Sequence, residues 1–402
     1  NPLVDPTLYN RNMSKADTTC ATPHSHLPMS NDPKYAKGFY SDNTKGCYDV
    51  IAKALPLCEA AMEPTLKLHA NSSSFVVADY GTADGGTSMP LMYQLCSKIR
   101  ATVGNELPIQ IHYEDQPVND WGSLFMRLEK LIEGPQSFLQ DFDNTFAHAT
   151  GRSFYKQCYP ANSVHFGFSA TAMHWLTSRP CGIPDAIHHS RSNEGLVKQE
   201  FARQAREDWE QILRMRAREL IPGGRMVIVN FCLDSTGQCL GNVQRESGHE
   251  AEMYATMEMI LSEMEMEGLI TAEEVSAISL INYYRTKDEF LAPFKEDGVA
   301  TSVGLRLVSY DTHIVPCPYH ANWTSETSTR TPAEHAKWYV PTCRTWSNST
   351  FINGLSDERT GEEKRVVVDD FFGRYEKKVA EEPKKHGMDY VHAYVVFEKN
   401  KL

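Results

Sequence analysis

Phe75-Val76-Val77-Ala78-Asp79-Tyr80-Gly81-Thr82-Ala83-Asp84-Gly85-Gly86-Thr87-Ser88 joins an apolar run to an acid and a glycine-bearing turn. The run SSFVVADYG (73–81) is short, β-branched and closed by Asp and Gly, which predicts a buried strand. A helix is expected from Thr87 or Ser88. Glycine in the turn lets the backbone approach a ligand and permits positive φ. In a dinucleotide site such a turn and helix start would face pyrophosphate. Here the glycines lack the G-x-G-x-x-G spacing, and Asp79 and Asp84 would repel phosphate. A cationic sulfonium bearing an ammonium group suits two carboxylates better. A structural turn in any α/β protein would carry similar residues, so the reading depends on what flanks the stretch.

Upstream, apolar Val50, Ile51, Ala54, Leu55, Leu57 and Cys58 predict a helix over 44–62, ended by Pro64. Downstream, a helix over 88–102, the strand PIQIHY (108–113) and a helix over 121–133 continue a β-α-β-α rhythm. That rhythm implies a parallel sheet with helices on both faces. The second strand runs into Glu114-Asp115, the place where nucleotide-binding sheets grip ribose hydroxyls. Further elements are the strand VHFGFSA (164–170), a charged helix over 194–219 and a strand in GGRMVIVNF behind a Gly-Gly stop. Helices over 247–270 and 271–278, broken at Gly268, precede GLRLVSYD, a helix over 366–380 and a last strand in HAYVVFEK. Residues 1–33, rich in Pro, Asn, Ser and Thr, read as a loose arm, and 34–402 as one domain. Insertions over roughly 175–222 and 235–365 are expected to form a helical cap over the sheet's carboxyl edge.

Of the 402 residues 41% are hydrophobic, enough for a large core, and no run of about 18 apolar residues predicts a membrane span. The formal charge of -12 argues against a nucleic-acid partner, because a surface of that sign repels phosphate backbones. Ten scattered cysteines form no C-x-x-C pair or zinc-spaced cluster and read as reduced thiols of a cytoplasmic protein. The sequons at Asn71, Asn322 and Asn348 would matter only in a secreted chain. No secretory signal is visible, although the chain does not begin with Met, which leaves a removed leader open. His188-His189, with His165 nearby, has no carboxylate at a useful spacing, and no metal site is read from it.

Several separated segments resemble the SABATH methyltransferases, which include plant salicylate, jasmonate and indole-acetate carboxyl methyltransferases and the caffeine-pathway N-methyltransferases. FYSDNTKGCYDVI (39–51) is similar to the family's S-Y-A-x-N-S-x-x-Q segment, and ADYGTADGGTS (78–88) to A-D-L-G-C-S-S-G-P-N-T. IHYEDQPVNDWGSLF (111–125) resembles a strand ending N-D-L-P-x-N-D-F. GRSFYKQCYPANSVHFGFSATAMHWLTSRP (151–180) resembles a long stretch containing S-F-Y, H-F and W-L-S-x-x-P. ARELIPGGRMVI, EMEGLI and RTWSNSTFINGL follow in family order. The resemblance implies a Rossmann-like class I methyltransferase sheet using S-adenosyl-L-methionine and releasing S-adenosyl-L-homocysteine. Carried over by position, it implies that Tyr40 and Asn43 enclose the methionyl end, with Gly81 and Thr87 in the cofactor turn. Asp79 would meet the amino-acid part, Asp115 with Gln116 the ribose, and Ser153 and Phe154 the adenine. Trp175 would hold the substrate carboxylate through its indole N–H, with Tyr40 and Trp175 acting on the reaction through geometry. Homodimers, and in some members a magnesium ion near the substrate, also belong to what the resemblance implies.

The departures bear on the acceptor. The family glutamine that holds the acceptor carboxylate falls on Cys47, and Gly85-Gly86-Thr87 replaces glycine-proline-asparagine. His174 stands where aromatic-acid methylating members carry an apolar residue; it can bind a carboxylate or take a proton from an amine. Tyr254, Met257 and Tyr284 are expected to line the acceptor pocket as well. The expected reaction is methyl transfer to the carboxylate of a small acid. The rivals are methylation of a nitrogen, and a non-catalytic ligand-binding module on the same fold.

Overall fold

The computed structural model describes residues 38–240 and 252–401; the expected arm, 1–33, lies outside them. Seven strands form one sheet: β1 (Phe75–Tyr80), β2 (Ile109–Asp115), β3 (Thr145–Gly151), β4 (Val164–Ala170), β5 (Leu220–Phe231), β6 (Leu305–Val315) and β7 (Tyr390–Lys399). Their order is β3-β2-β1-β4-β5-β7-β6, parallel except for β7, which runs against both of its neighbours. The order reverses beside β1, so the connections leaving the carboxyl ends of β1 and β4 run in opposite directions from a paired edge, the place where open α/β sheets bind ligands.

All six residues of β1 are buried. Alternation sends Phe75 and Val77 into one core with the helix Lys45–Leu68, while Ala78 and Tyr80 enter a second core with the helix Gly195–Glu219. The first helix does not stop at Pro64 as expected; it continues through Pro56 and Pro64 to Leu68. Both prolines and the residues four positions before them are exposed, so water reaches the carbonyls that lose their partners. The helix expected over 121–133 ends at Leu128, where Lys130 adopts φ +57°. Gly223-Gly224 is not a stop: β5 runs through it, and the register against β4 shifts there in a bulge.

The expected cap boundaries also shift. The helix Gly195–Glu219 packs Trp209, Ile212 and Leu213 on the sheet, as the crossover between β4 and β5, and β6 belongs to the sheet itself. The helices Met253–Met266, Pro332–Gly354 and Gly361–Glu381 join the other core, tied by the pairs Lys378–Glu263 and Arg374–Glu267. Arg359 and Glu274 bind the helix Ala272–Ala277 into the same layer.

Candidate active site

The carboxyl ends of β1 and β2 place two acids side by side. Asp79 is buried and accepts the Ser88 hydroxyl at 2.6 Å. Asp115 accepts the backbone N–H groups of Ala83 and Gln116, both at 2.7 Å. Burial, against those hydrogen bonds, pushes each carboxyl up to about 6, with the Asp115 charge also raising Asp79. Among the described residues no basic side chain offsets either, so a cationic ligand would relieve both.

Gly81, at φ +74°, brings the turn into contact with the strand beside it. A Cβ there would lie 2.3 Å from that of Ala172, and Gly81 N–H donates to the Glu114 carbonyl at 2.8 Å. Thr87 is buried in the turn before the helix Met89–Val103, and Gln116 is half-buried after β2. Arg152 N–H donates to the Asp115 carbonyl at 2.9 Å, which brings the loop carrying Ser153 and Phe154 to the end of β2. Phe154 is half-buried 4.8 Å from the Tyr155 ring, and its carbonyl accepts from the Arg216 guanidinium at 3.1 Å. These contacts gather the residues at the carboxyl ends of β1 and β2.

Asp84 serves differently from the sequence expectation. It pairs with buried Arg127 at 3.4 Å and accepts the Ser41 N–H at 3.1 Å and the Ser41 hydroxyl. Arg127 also donates to the Gly38 carbonyl at 2.8 Å and to Asp42 at 2.9 Å. Asp84 and Arg127 therefore staple the short helix Phe39–Asn43 to the turn after β1. Asn43 is spent on that helix: its amide donates to the Phe39 carbonyl at 2.8 Å, and its own carbonyl accepts from Tyr319.

The staple delivers Tyr40 to the wall of a second chamber, whose empty space of about 410 Å³ includes its opening to solvent. Tyr40, Thr44, Cys47, Thr171, His174 and Trp175 line one part of it. Phe231, Leu240, Asn282, Tyr284, Trp346 and Tyr390 line the rest. The Cys47 thiol lies 3.7 Å from the Tyr40 hydroxyl, and burial pushes its pKa up to about 11, so it stays protonated. His174 is buried, with its ring 5.3 Å from Trp175 and 4.9 Å from Phe231. Tyr254 sits behind the wall, its hydroxyl bonded to that of Tyr284, and Met257 is buried in the core. His188 and His189 stack on Tyr254 and Tyr283 respectively, and His188 bonds Asn282 and Ser190. Among the described residues no three His, Cys, Asp or Glu side chains gather as a metal site.

The sequence reading missed Thr44, Thr171, Phe231, Leu240, Asn282, Trp346 and Tyr390. Thr171, Phe231 and Tyr390 stand at or just beyond the ends of β4, β5 and β7, positions that the strand pattern marks. Asn282 lies in a segment with no periodicity to announce it.

The sequence profile of the SAM-dependent carboxyl methyltransferases matches residues 34–400. A probable 7-methylxanthine methyltransferase of Theobroma cacao is 28% identical over 270 residues, 63% of this chain and 70% of its own. A benzoic acid/salicylic acid carboxyl methyltransferase of Petunia hybrida is 27% identical over 272 residues, 65% of this chain and 73% of its own. Among solved structures, a loganic acid methyltransferase with S-adenosylhomocysteine superposes with a TM-score of 0.68 at 20% identity. That match covers 92% of this chain and 97% of the other. The chain belongs to the SAM-dependent carboxyl methyltransferase family, has the class I methyltransferase fold, and is an enzyme that uses S-adenosylmethionine.

Proposed function

We propose that this enzyme transfers the S-adenosylmethionine methyl group to the carboxylate of a small-molecule acid, forming a methyl ester and S-adenosylhomocysteine. One observation carries the choice of acceptor. The described residues lining the acceptor chamber include no Asp, Glu, Lys or Arg. A protonated amine would need a base to take its proton, for which the described lining offers His174 and no carboxylate; an acid acceptor arrives already ionised and needs no base. The sulfonium supplies the electrophilic methyl. The protein binds and orients: Asp79 and Asp115 hold the cationic tail and the ribose, Phe154 covers the adenine, and Tyr40 closes the boundary between donor and acceptor. Trp175 offers an indole N–H to the acceptor. Positioning of this kind lowers a barrier by about 7–11 kcal/mol when two reactants are held in register. The cap, in this reading, is the layer of helices Met253–Met266, Pro332–Gly354 and Gly361–Glu381.

A cytoplasmic setting is favoured by the nine described cysteines, all free thiols. A homodimer follows from the family resemblance, with sedimentation velocity as its check. His174 in the wall, beside the likeness to a xanthine methyltransferase, supports nitrogen methylation as the second reading. The test is a screen of small acids and ring N–H compounds with radiolabelled S-adenosylmethionine, followed by a pH–rate profile at saturating donor. Ester formation that persists at pH 6 supports the proposal. Turnover confined to N–H compounds, or collapsing as an amine protonates, overturns it.

A further inference from the structure

The segment 279–285 lies alongside the turn that follows β4. Leu176 N–H donates to the Ile281 carbonyl at 3.0 Å and Tyr283 N–H to the His174 carbonyl at 2.9 Å. Between them Asn282 stands opposite Trp175 in an antiparallel bridge. Residues opposed in this way project to the same side, with Cβ atoms about 5 Å apart, and both line the acceptor chamber. Asn282 is 1% exposed, so the end of its amide that faces the cavity decides what it recognises.

His188 decides that end. Ser190 N–H donates to His188 Nδ1 at 3.2 Å, and the Ser190 hydroxyl lies 2.7 Å from the same nitrogen. Nδ1 is therefore an acceptor, and a neutral imidazole must then carry its proton on Nε2. Burial keeps the ring neutral by pushing its pKa down to about 3. Nε2 lies 2.7 Å from Asn282 Oδ1, so the ring donates and the amide oxygen is the end turned toward the histidine. Tyr254, stacked on His188 at 5.0 Å and 12°, fixes the plane of the imidazole. The amide nitrogen, a donor only, is the other end; it donates to the Tyr284 hydroxyl, and its second N–H is left for the chamber.

We propose that Asn282, its amide turned by His188, is a specificity residue that presents an N–H donor beside the Trp175 indole and so selects a carboxylate over an acceptor carrying its own N–H. It does for the acceptor what the Cys47 thiol, already turned to Tyr40, cannot. Asn282 touches the substrate; His188 acts through it as a positioning residue. The inference rests on the methyl-transfer reading above.

The experiment is a calorimetric titration of the full chain, saturated with S-adenosylhomocysteine, with benzoate and separately with benzylammonium. Wild type, N282D and N282A are compared. Benzoate is expected to bind wild type, about thirtyfold more weakly to N282D and about tenfold more weakly to N282A, with S-adenosylhomocysteine affinity unchanged in all three. Equal benzoate affinity in wild type and N282D, preference of wild type for benzylammonium, or no benzoate binding overturns the proposal. Failure of wild type to bind S-adenosylhomocysteine counts instead against the methyl-transfer reading, because no acceptor takes part in that step. Nitrogen-15 NMR of wild-type His188 gives an answer independent of any variant's folding. The Nε2-protonated tautomer is expected, and the Nδ1-protonated one would falsify the amide orientation.

Discussion

Asp115 receives two backbone N–H bonds and still titrates at about 6, because its burial outweighs them. Its carboxylate is therefore held ready for a ligand that pays back the desolvation. Replacing it in D115N sets an amide against the Ala83 and Gln116 N–H groups, and about a 10- to 100-fold loss of S-adenosylmethionine affinity is expected. Calorimetry checks this. The sign of the pH dependence follows from the same two acids. Both are ionised above about 6 and take up protons below it, so cofactor affinity should be full at pH 7 and fall about tenfold by pH 5. A flat profile would show that neither acid meets the cation. Asp79 and Asp115 were legible because strands deliver their last residue to a predictable edge. Asp84 was not, because its partner Arg127 lies 43 residues further along the chain, where no spacing rule reaches. Tyr254 and Met257 were assigned to the pocket by alignment across gaps, and a helix turn suffices to carry such residues behind the wall.

Among the elements, the short helix Phe39–Asn43 is too brief to hold itself in place and depends on Arg127. The Arg127–Asp84 pair has both side chains almost fully buried, at 1% and 2% exposure. R127L would strand Asp84, with an expected loss of about 3–5 kcal/mol of stability. Denaturant titration measures that loss. A second readout is methyl transfer, which should fall through displaced Tyr40 even where the variant remains folded; full activity in a folded R127L would remove the stapling role. The sheet rhythm was readable from β1 outward, since buried parallel strands are near-continuous apolar runs. The edge strand β3 was not, because most of its residues are exposed and its pattern is that of a loop. The helix Pro332–Gly354 was hidden by Pro341 and a polar composition, although its capping box, Thr331 with Glu334, was a usable signal.

At the scale of the whole molecule, buried neutral histidines and buried carboxyls pull the acid response in opposite directions. Burial pushes His188 and His392 down to about 3 and His112, His165 and His335 to about 4. A depressed histidine contributes stability that is present above its unfolded value of about 6.5 and is lost as pH falls toward the folded value. Asp79 and Asp115, with raised values, act oppositely: their contribution is present below about 4 and lost as pH rises through about 6. Six depressed histidines, His189 included, pull the melting temperature down between pH 6.5 and pH 4.5. The raised carboxyls Asp49, Asp79, Asp84, Glu114, Asp115, Asp208 and Glu376 pull the opposite way. H392Q should therefore lose less melting temperature over that interval than wild type, as scanning calorimetry would register. An equal loss in H392Q would mean that His392 is not buried in the neutral form. In the proposed reading the donor grip comes from one continuous fifth of the chain, residues 79–154, while the acceptor wall is gathered from Tyr40 to Tyr390. Such a division lets mutation retune which molecule is methylated while the methyl source is left untouched, so new substrates are within reach of a few substitutions on the bridge between Trp175 and Asn282.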